Sequence, residues 1–184
     1  MPLVVLLGGA RSGKSRLAVE LAAAAGRAAV VVATAEGGDP EMRRRIEAHR
    51  AERPVGWATV EEPVELEAAL GRVEGDRAVV VDCLSLWVAN LLERGGSERA
   101  IAAASCGAAA AAAARSGLTV AVSNEVGLGV VPATPLGRAY RDLLGAVNRI
   151  WVGAAARAVL VVAGRALPLQ DARSLLAPGR EEPA

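Results

Sequence analysis

Short uninterrupted apolar runs alternate along the chain with longer segments whose apolar residues recur every three to four positions. The run "LVVLL" (3–7) ends at Gly8 and reads as a buried parallel strand. "AAVVVATA" (28–35), the stretch from Arg77 to Asp82, "LTVAVSNEVG" (118–127) and "AVLVVAG" (158–164) read the same way, the fourth running into a Gly-rich loop. "WATVEEP" (57–63) reads as a short or edge strand. Helical spacing covers "SRLAVELAAAAG", which stops at Gly26. It returns in "DPEMRRRIEAHRAERP", with Asp39 as N-cap, Pro40 at the first helical position and an end before Pro54. Met42 and Ile46 share one face of that helix, with Arg45 or His49 beside them. Further helices are expected over "PVELEAALGRV", beginning at Pro63, over 84–94, over the Ala-rich 97–116 and over 135–156.

This alternation predicts an α/β domain with a mostly parallel sheet and helices on both faces. No linker or internal repeat divides it. We expect a single domain over 1–170 and a flexible C-terminal tail over 171–184. Such sheets bind ligands beyond the carboxyl ends of their strands. The 8–15 loop, Thr34, Asp82 and the 123–132 loop all fall there.

Composition narrows the function classes. A net charge of +1 provides no basic field for nucleic acid or an anionic membrane. Aromatics are 2% of the chain, too few for base-stacking single-strand binding. No apolar stretch reaches a clean membrane span and no signal peptide is evident, so a cytoplasmic location is expected. Cys83 and Cys106 match no metal spacing and read as buried free thiols. Of the 21 basic residues a single one, Lys14, is lysine. A site needing a compact ammonium, where a planar guanidinium would not fit, accounts for that exception.

Lys14 stands in "GGARSGKS" (8–15), which fits G-x-x-x-x-G-K-[ST] between an apolar strand and a helix. Gly8 and Gly13 permit the tight wrap in which backbone N–H groups hold phosphate oxygens. Lys14 reaches the β and γ phosphates and the Ser15 hydroxyl binds Mg²⁺. The strand "VVVDC" ends in Asp82, placed to hold the Mg²⁺ shell opposite Ser15. Thr34 can lie against a nucleotide or simply close a turn. "SNEVGLGVVP" (123–132) can line a substrate pocket or only connect two elements. Arg138, Arg141 and Asp142 read equally well as a salt-bridged helix face.

"RIEAHRAERP" (45–54) holds His49, the one histidine, among Arg44, Arg45, Arg50 and Arg53. Such cations disfavour the imidazolium and suit phosphates, although a solvated arginine-rich helix explains the same residues. One histidine, without a G-x-S-x-G elbow, builds neither a hydrolase triad nor a zinc site.

Taken in order, "GGARSGKS", "RIEAHRAERP" followed by Trp57, "DCLSLWVANLL", "VSNEVGLGVVP", "LGRAYRDLLGAVN" and "LVVAG" resemble the signature blocks of one family. It is the bifunctional adenosylcobinamide kinase / adenosylcobinamide-phosphate guanylyltransferase of cobalamin biosynthesis, and the resemblance runs from about residue 3 to 164. The resemblance implies a RecA-like P-loop core, a homotrimer and two reactions. Adenosylcobinamide is phosphorylated by ATP or GTP; GMP then passes from GTP to adenosylcobinamide phosphate through a guanylyl-histidine. By resemblance that histidine is His49. The implied nucleotide contacts are Gly8, Gly9, Ala10, Arg11, Ser12, Gly13, Lys14 and Ser15, then Ala33, Thr34 and Ala35. Arg50, Ala51, Glu52, Arg53, Glu61 and Asp82 complete them. Ser85 stands where the family commonly has Thr, and Tyr140 where it has Phe. A metabolite kinase without transfer activity and a nucleotide-sensing regulatory module are the competing readings of the P-loop alone.

Overall fold

The computed structural model describes residues 3–26, 29–38 and 40–176. Seven strands form one sheet: β1 (Leu3–Leu7), β2 (Val30–Ala33), β3 (Ala58–Glu61), β4 (Val79–Asp82), β5 (Thr119–Val122), β6 (Arg157–Val162) and β7 (Arg165–Leu169). The helices are α1 (Lys14–Ala24), α2 (Pro40–Ala51), α3 (Leu66–Arg72), α4 (Leu84–Glu93), α5 (Glu98–Ala114) and α6 (Pro135–Ala154), followed by a 3₁₀ turn at Ala172–Leu176. The strand order is β3-β2-β4-β5-β1-β6-β7, parallel except for the β6–β7 pair. One strand, β5, separates the strand before the P-loop from the strand ending in Asp82, which is the RecA-like arrangement.

Alternate side chains of β1 serve two cores. Leu3, Val5 and Leu7 join α3, α4, α5 and α6 on one face, with Trp87 and Trp151 fully enclosed. Val4 and Leu6 pack with Ala18 and Ala22 of α1 on the other. Burial on both faces explains why these strands read as continuous apolar runs. In contrast, none of the described side chains of α2 is buried. Its C-terminal end is tied to β3 by the Arg50–Glu61 ion pair and by Arg53 donating to Thr59 Oγ1 at 2.7 Å. Among the described residues, no helix is long and apolar enough to cross a membrane.

Several expectations shift. Strand β7 was not anticipated: its five residues are exposed and Pro168 interrupts them, a pattern tolerated only at a sheet edge. Helix α3 starts at Leu66 and not at Pro63, because side chains of α4 take the preceding carbonyls. Trp87 Nε1 donates to Val64 O at 2.7 Å and Asn90 Nδ2 to Pro63 O at 3.1 Å. As expected, helices α4 and α5 follow one another with no strand between, through a turn at Gly95, whose φ is 77°. Cys106 is exposed on α5, against the expectation of two buried thiols. The Asp39 N-cap and residues 177–184 of the tail lie outside the described residues.

Candidate active site

The P-loop turns where its glycines allow it. Gly8 and Gly13 adopt φ of 151° and 101°, and a Cβ on Gly8 would run into the Val161 carbonyl. Gly13 is the N-cap of α1, so the first turn of that helix opens onto the loop. Gly9, Ala10, Arg11 and Gly13 are exposed along the wrap, whereas Ser12 is buried. Lys14 is 6% exposed, and its ammonium donates to Gly8 O at 2.8 Å, Gly9 O at 2.6 Å and Ser12 Oγ at 3.3 Å. Burial lowers its pKa, an effect that Cys83 and Asp82 oppose.

Asp82 stands at the end of β4, with one oxygen on each of two partners. Ser15 Oγ donates to its Oδ1 at 3.4 Å, and His49 Nδ1 lies 4.0 Å from its Oδ2. Enclosure raises the carboxyl pKa; His49, Arg53, the Ser15 hydroxyl and Lys14 pull the other way. The side chain keeps 20% exposure, so the group is reached from a cavity but otherwise surrounded. That cavity, of about 560 Å³, is bordered by Ser15, Arg16, His49, Glu52, Arg53 and Asp82.

Two arginines of the cluster have partners on β3. Arg50 pairs with Glu61, and Arg53 reaches back to Thr59. Burial lowers the Arg53 pKa, with Asp82 opposing. Arg44 is exposed. Asp82 stands 4.0 Å from the His49 ring, and Arg53 borders the same cavity.

The remaining expected residues divide. Ala33 is buried at the end of β2 and Ala35 is partly exposed beyond it. Thr34 is fully buried: its hydroxyl donates to Cys83 O at 2.7 Å and accepts from Cys83 N at 2.9 Å. It clamps β2 to β4 and presents no free polar group to the cavity. Ala51 and Glu52 are exposed at the end of α2. Arg16 and Glu20, which also border the cavity, carry no signal in the sequence beyond their place one helical turn apart; they pair with each other at 2.9 Å.

The 123–132 loop is rooted by a polar network. Ser123 Oγ donates to Asn148 Oδ1 at 2.6 Å, Asn148 Nδ2 donates to Asn124 O at 3.1 Å, and Asn124 N donates to Ser85 Oγ at 2.7 Å. The Tyr140 hydroxyl joins this network by donating to Ser85 O at 3.2 Å. Arg138 caps the Pro132 and Ala133 carbonyls, and Arg141 pairs with Asp142, so that helix face is accounted for structurally.

Ser15 and Asp82 offer a hydroxyl and a carboxylate, the hard oxygen donors Mg²⁺ prefers. Among the described residues no group of three or more His, Cys, Asp and Glu side chains is assembled to hold a metal. A two-oxygen site of this kind suits an ion bound mainly by phosphates and water.

Residues 4–169 match the model of a family described as CobU: cobinamide kinase / cobinamide phosphate guanyltransferase. The chain is 45% identical over 172 residues to the bifunctional adenosylcobalamin biosynthesis protein CobP of Pseudomonas aeruginosa, over 90% of this chain and 96% of that protein. It is 37% identical to the bifunctional adenosylcobalamin biosynthesis protein CobU of Escherichia coli K12, over 88% of this chain and 96% of that protein. The Salmonella typhimurium protein of the same name is 35% identical with the same coverage. Among solved structures, the flagellar accessory protein FlaH of Methanocaldococcus jannaschii aligns with a TM-score of 0.45 and 11% identity, over 90% of this chain and 74% of that one.

Proposed function

The chain belongs to the cobinamide kinase / cobinamide phosphate guanyltransferase family, and on that premise we propose that it performs both reactions through His49 and the P-loop. It phosphorylates the hydroxyl of adenosylcobinamide with ATP or GTP. It then moves GMP from GTP onto adenosylcobinamide phosphate, releasing pyrophosphate and giving adenosylcobinamide-GDP. The protein is a transferase of the cobalamin pathway, which excludes the regulatory-module reading.

The observation that carries the two-step reading is the shared carboxylate of Asp82. One oxygen faces Ser15 of the P-loop and the other faces His49 of α2. With Nδ1 turned toward Asp82, Nε2 is the ring nitrogen left to attack the α-phosphorus. The N–P bond forms as the bond to pyrophosphate breaks. In the second half the acceptor phosphate displaces His49 from the same phosphorus, splitting one transfer into two. Lys14 and Arg53 place fixed positive charge beside the phosphoryl groups. Ser15 and Asp82 would hold Mg²⁺, which would supply positive charge against the triphosphate. The kinase step asks less of the side chains: the P-loop amides and Lys14 hold the γ-phosphoryl in line with the acceptor. By the family resemblance the enzyme works as a cytoplasmic homotrimer.

Incubation with Mg²⁺ and GTP labelled at the α-phosphorus tests the intermediate. The adduct should be acid-labile and base-stable, and His49→Ala should not form it. Labelling of that variant at the wild-type level would sink the role given to His49.

A further inference from the structure

We infer that Glu125 is the base that takes the hydroxyl proton in the kinase step. The inference rests on the two-step reading above and deepens it. Glu125 follows β5, the strand interposed between β1 and β4, and so stands on the crest between the P-loop and Asp82. Its backbone N–H donates to Gly8 O at 3.0 Å. The same carbonyl accepts from the Lys14 ammonium at 2.8 Å. A single carbonyl oxygen therefore joins Glu125 to the group that grips the γ-phosphate.

The other carboxylates along this end of the sheet are engaged or misplaced. Glu36 pairs with Arg94, Glu61 with Arg50 and Glu62 with Arg72. Asp82 is divided between Ser15 and His49. Glu52 borders the cavity from α2, on the side of His49. Glu125 forms no ion pair among the described residues. Its Oε1 accepts from Gly127 N at 2.6 Å, which fixes the carboxylate without neutralising it. The polar network of Ser123, Asn124, Asn148 and Ser85 holds the loop root in place.

The chain beyond Glu125 suits the acceptor. Leu128, Val130, Val131 and Leu136 are 62–95% exposed, an apolar stretch on the loop and helix start that follow Glu125. Such a stretch fits the face of a corrin macrocycle whose side arm carries the reacting hydroxyl. In the step itself the hydroxyl oxygen bonds to the γ-phosphorus and the bond from that phosphorus to the bridging oxygen breaks. The nucleoside diphosphate leaves with that electron pair, and the hydroxyl proton passes to the Glu125 carboxylate and on to solvent.

Glu125→Gln separates a base from a loop brace, because the amide oxygen still accepts from Gly127 N–H but cannot take the proton. Phosphorylation of adenosylcobinamide should fall by roughly 10²–10⁴-fold. Labelling of the variant by α-labelled GTP, and GMP transfer to adenosylcobinamide phosphate supplied ready-made, should stay at wild-type rates. A kinase rate within a few-fold of wild type overturns the assignment, as does a parallel fall in both reactions. A wild-type enzyme inert toward adenosylcobinamide would instead sink the functional reading, and this assignment with it.

Discussion

His49 Nδ1 lies 4.0 Å from Asp82 Oδ2, while the other oxygen of that carboxylate accepts from Ser15 at 3.4 Å. The histidine and the P-loop hydroxyl thus face the two oxygens of one largely enclosed acid. The enclosure of that acid costs stability, which His49 and Ser15 offset only in part. Asp82 has its pKa raised above the ordinary 3.8, chiefly by burial, so the folded chain holds the proton more tightly than the unfolded one. Below the ordinary value both states are protonated and nothing is lost. Between the ordinary and the raised values the destabilisation builds, and above the raised value it is complete. Asp82→Asn should therefore melt higher than wild type at neutral pH, with the gap closing as pH falls. Both reactions should drop by roughly 10²–10³-fold. Melting curves across a pH series, beside the two assays, check this; a variant that melts lower at neutral pH contradicts it.

Lys14 provides the sharpest test of why one lysine stands among so many arginines. Its ammonium fits between two carbonyls and a hydroxyl within the loop. A guanidinium is planar and too broad for that space. Lys14→Arg should therefore lose the kinase reaction nearly as fully as Lys14→Ala, by about 3–4 kcal/mol of barrier. Steady-state kinase assays on both variants decide it. An arginine variant within an order of magnitude of wild type would show that charge alone suffices.

The parts of this site that can be read from the sequence are the local ones. β1, the P-loop and α1 form one continuous stretch, and Asp82 closes an apolar run, so neighbours in sequence are neighbours in space. The arginines around His49 are different. Their partners, Glu61 and Thr59, come from β3, and only the folded chain shows that Arg50 and Arg53 turn toward that strand. Thr34 is similar: its hydroxyl is spent on Cys83, 49 residues away. Strand β7 carries a proline and no buried residue, so neither apolar run nor alternation announced it. Cys106 stands in an alanine-rich helix whose composition does not distinguish the face turned to solvent from the face turned to the core.

The Arg50–Glu61 pair separates a structural from a binding role. Both side chains are more than half exposed, at 54% and 64%, and such pairs contribute about 0–1 kcal/mol. Glu61→Gln should barely move the melting temperature. If Glu61 also contacts nucleotide, the KM for GTP should rise several-fold. Unchanged GTP kinetics would leave Glu61 with the ion pair alone.

The two thiols should react at very different rates. Cys83 is partly buried, and burial followed by the nearby Asp82 charge pushes its pKa up to about 11, whereas Cys106 is exposed on α5. The thiolate is the reactive form. A thiol reagent at neutral pH should modify one cysteine quickly in the native protein and the second only on unfolding. Peptide mapping should place the fast label on Cys106, and Cys106→Ser should remove it. Labelling of Cys83 as fast as Cys106 in the native protein contradicts this ordering.

Truncation of Arg115 should cost much of the fold's stability. Arg115 is the C-cap of α5 and 8% exposed. Its guanidinium donates to Leu70 O and Val73 O at 2.9 Å each, to Glu74 O at 2.7 Å and to Arg77 O at 3.0 Å. It thereby fastens the end of α3 and the turn leading into β4. Burial lowers its pKa and Asp76 opposes that, so the charge is retained at a desolvation cost that the four carbonyls offset. Arg115→Met keeps most of the packed stem and strands all four acceptors. Removing one partner from a buried charged network costs about 3–5 kcal/mol. At about 2–4 °C per kcal/mol for a chain of this size, the melting temperature should fall by roughly 6–20 °C. The carbonyls that Arg115 binds precede β4, while Asp82 lies at the end of that strand. Kinase activity assayed well below the lowered melting temperature should therefore stay near wild type. A fall of less than about 1 kcal/mol would mean that water replaces the guanidinium at those carbonyls.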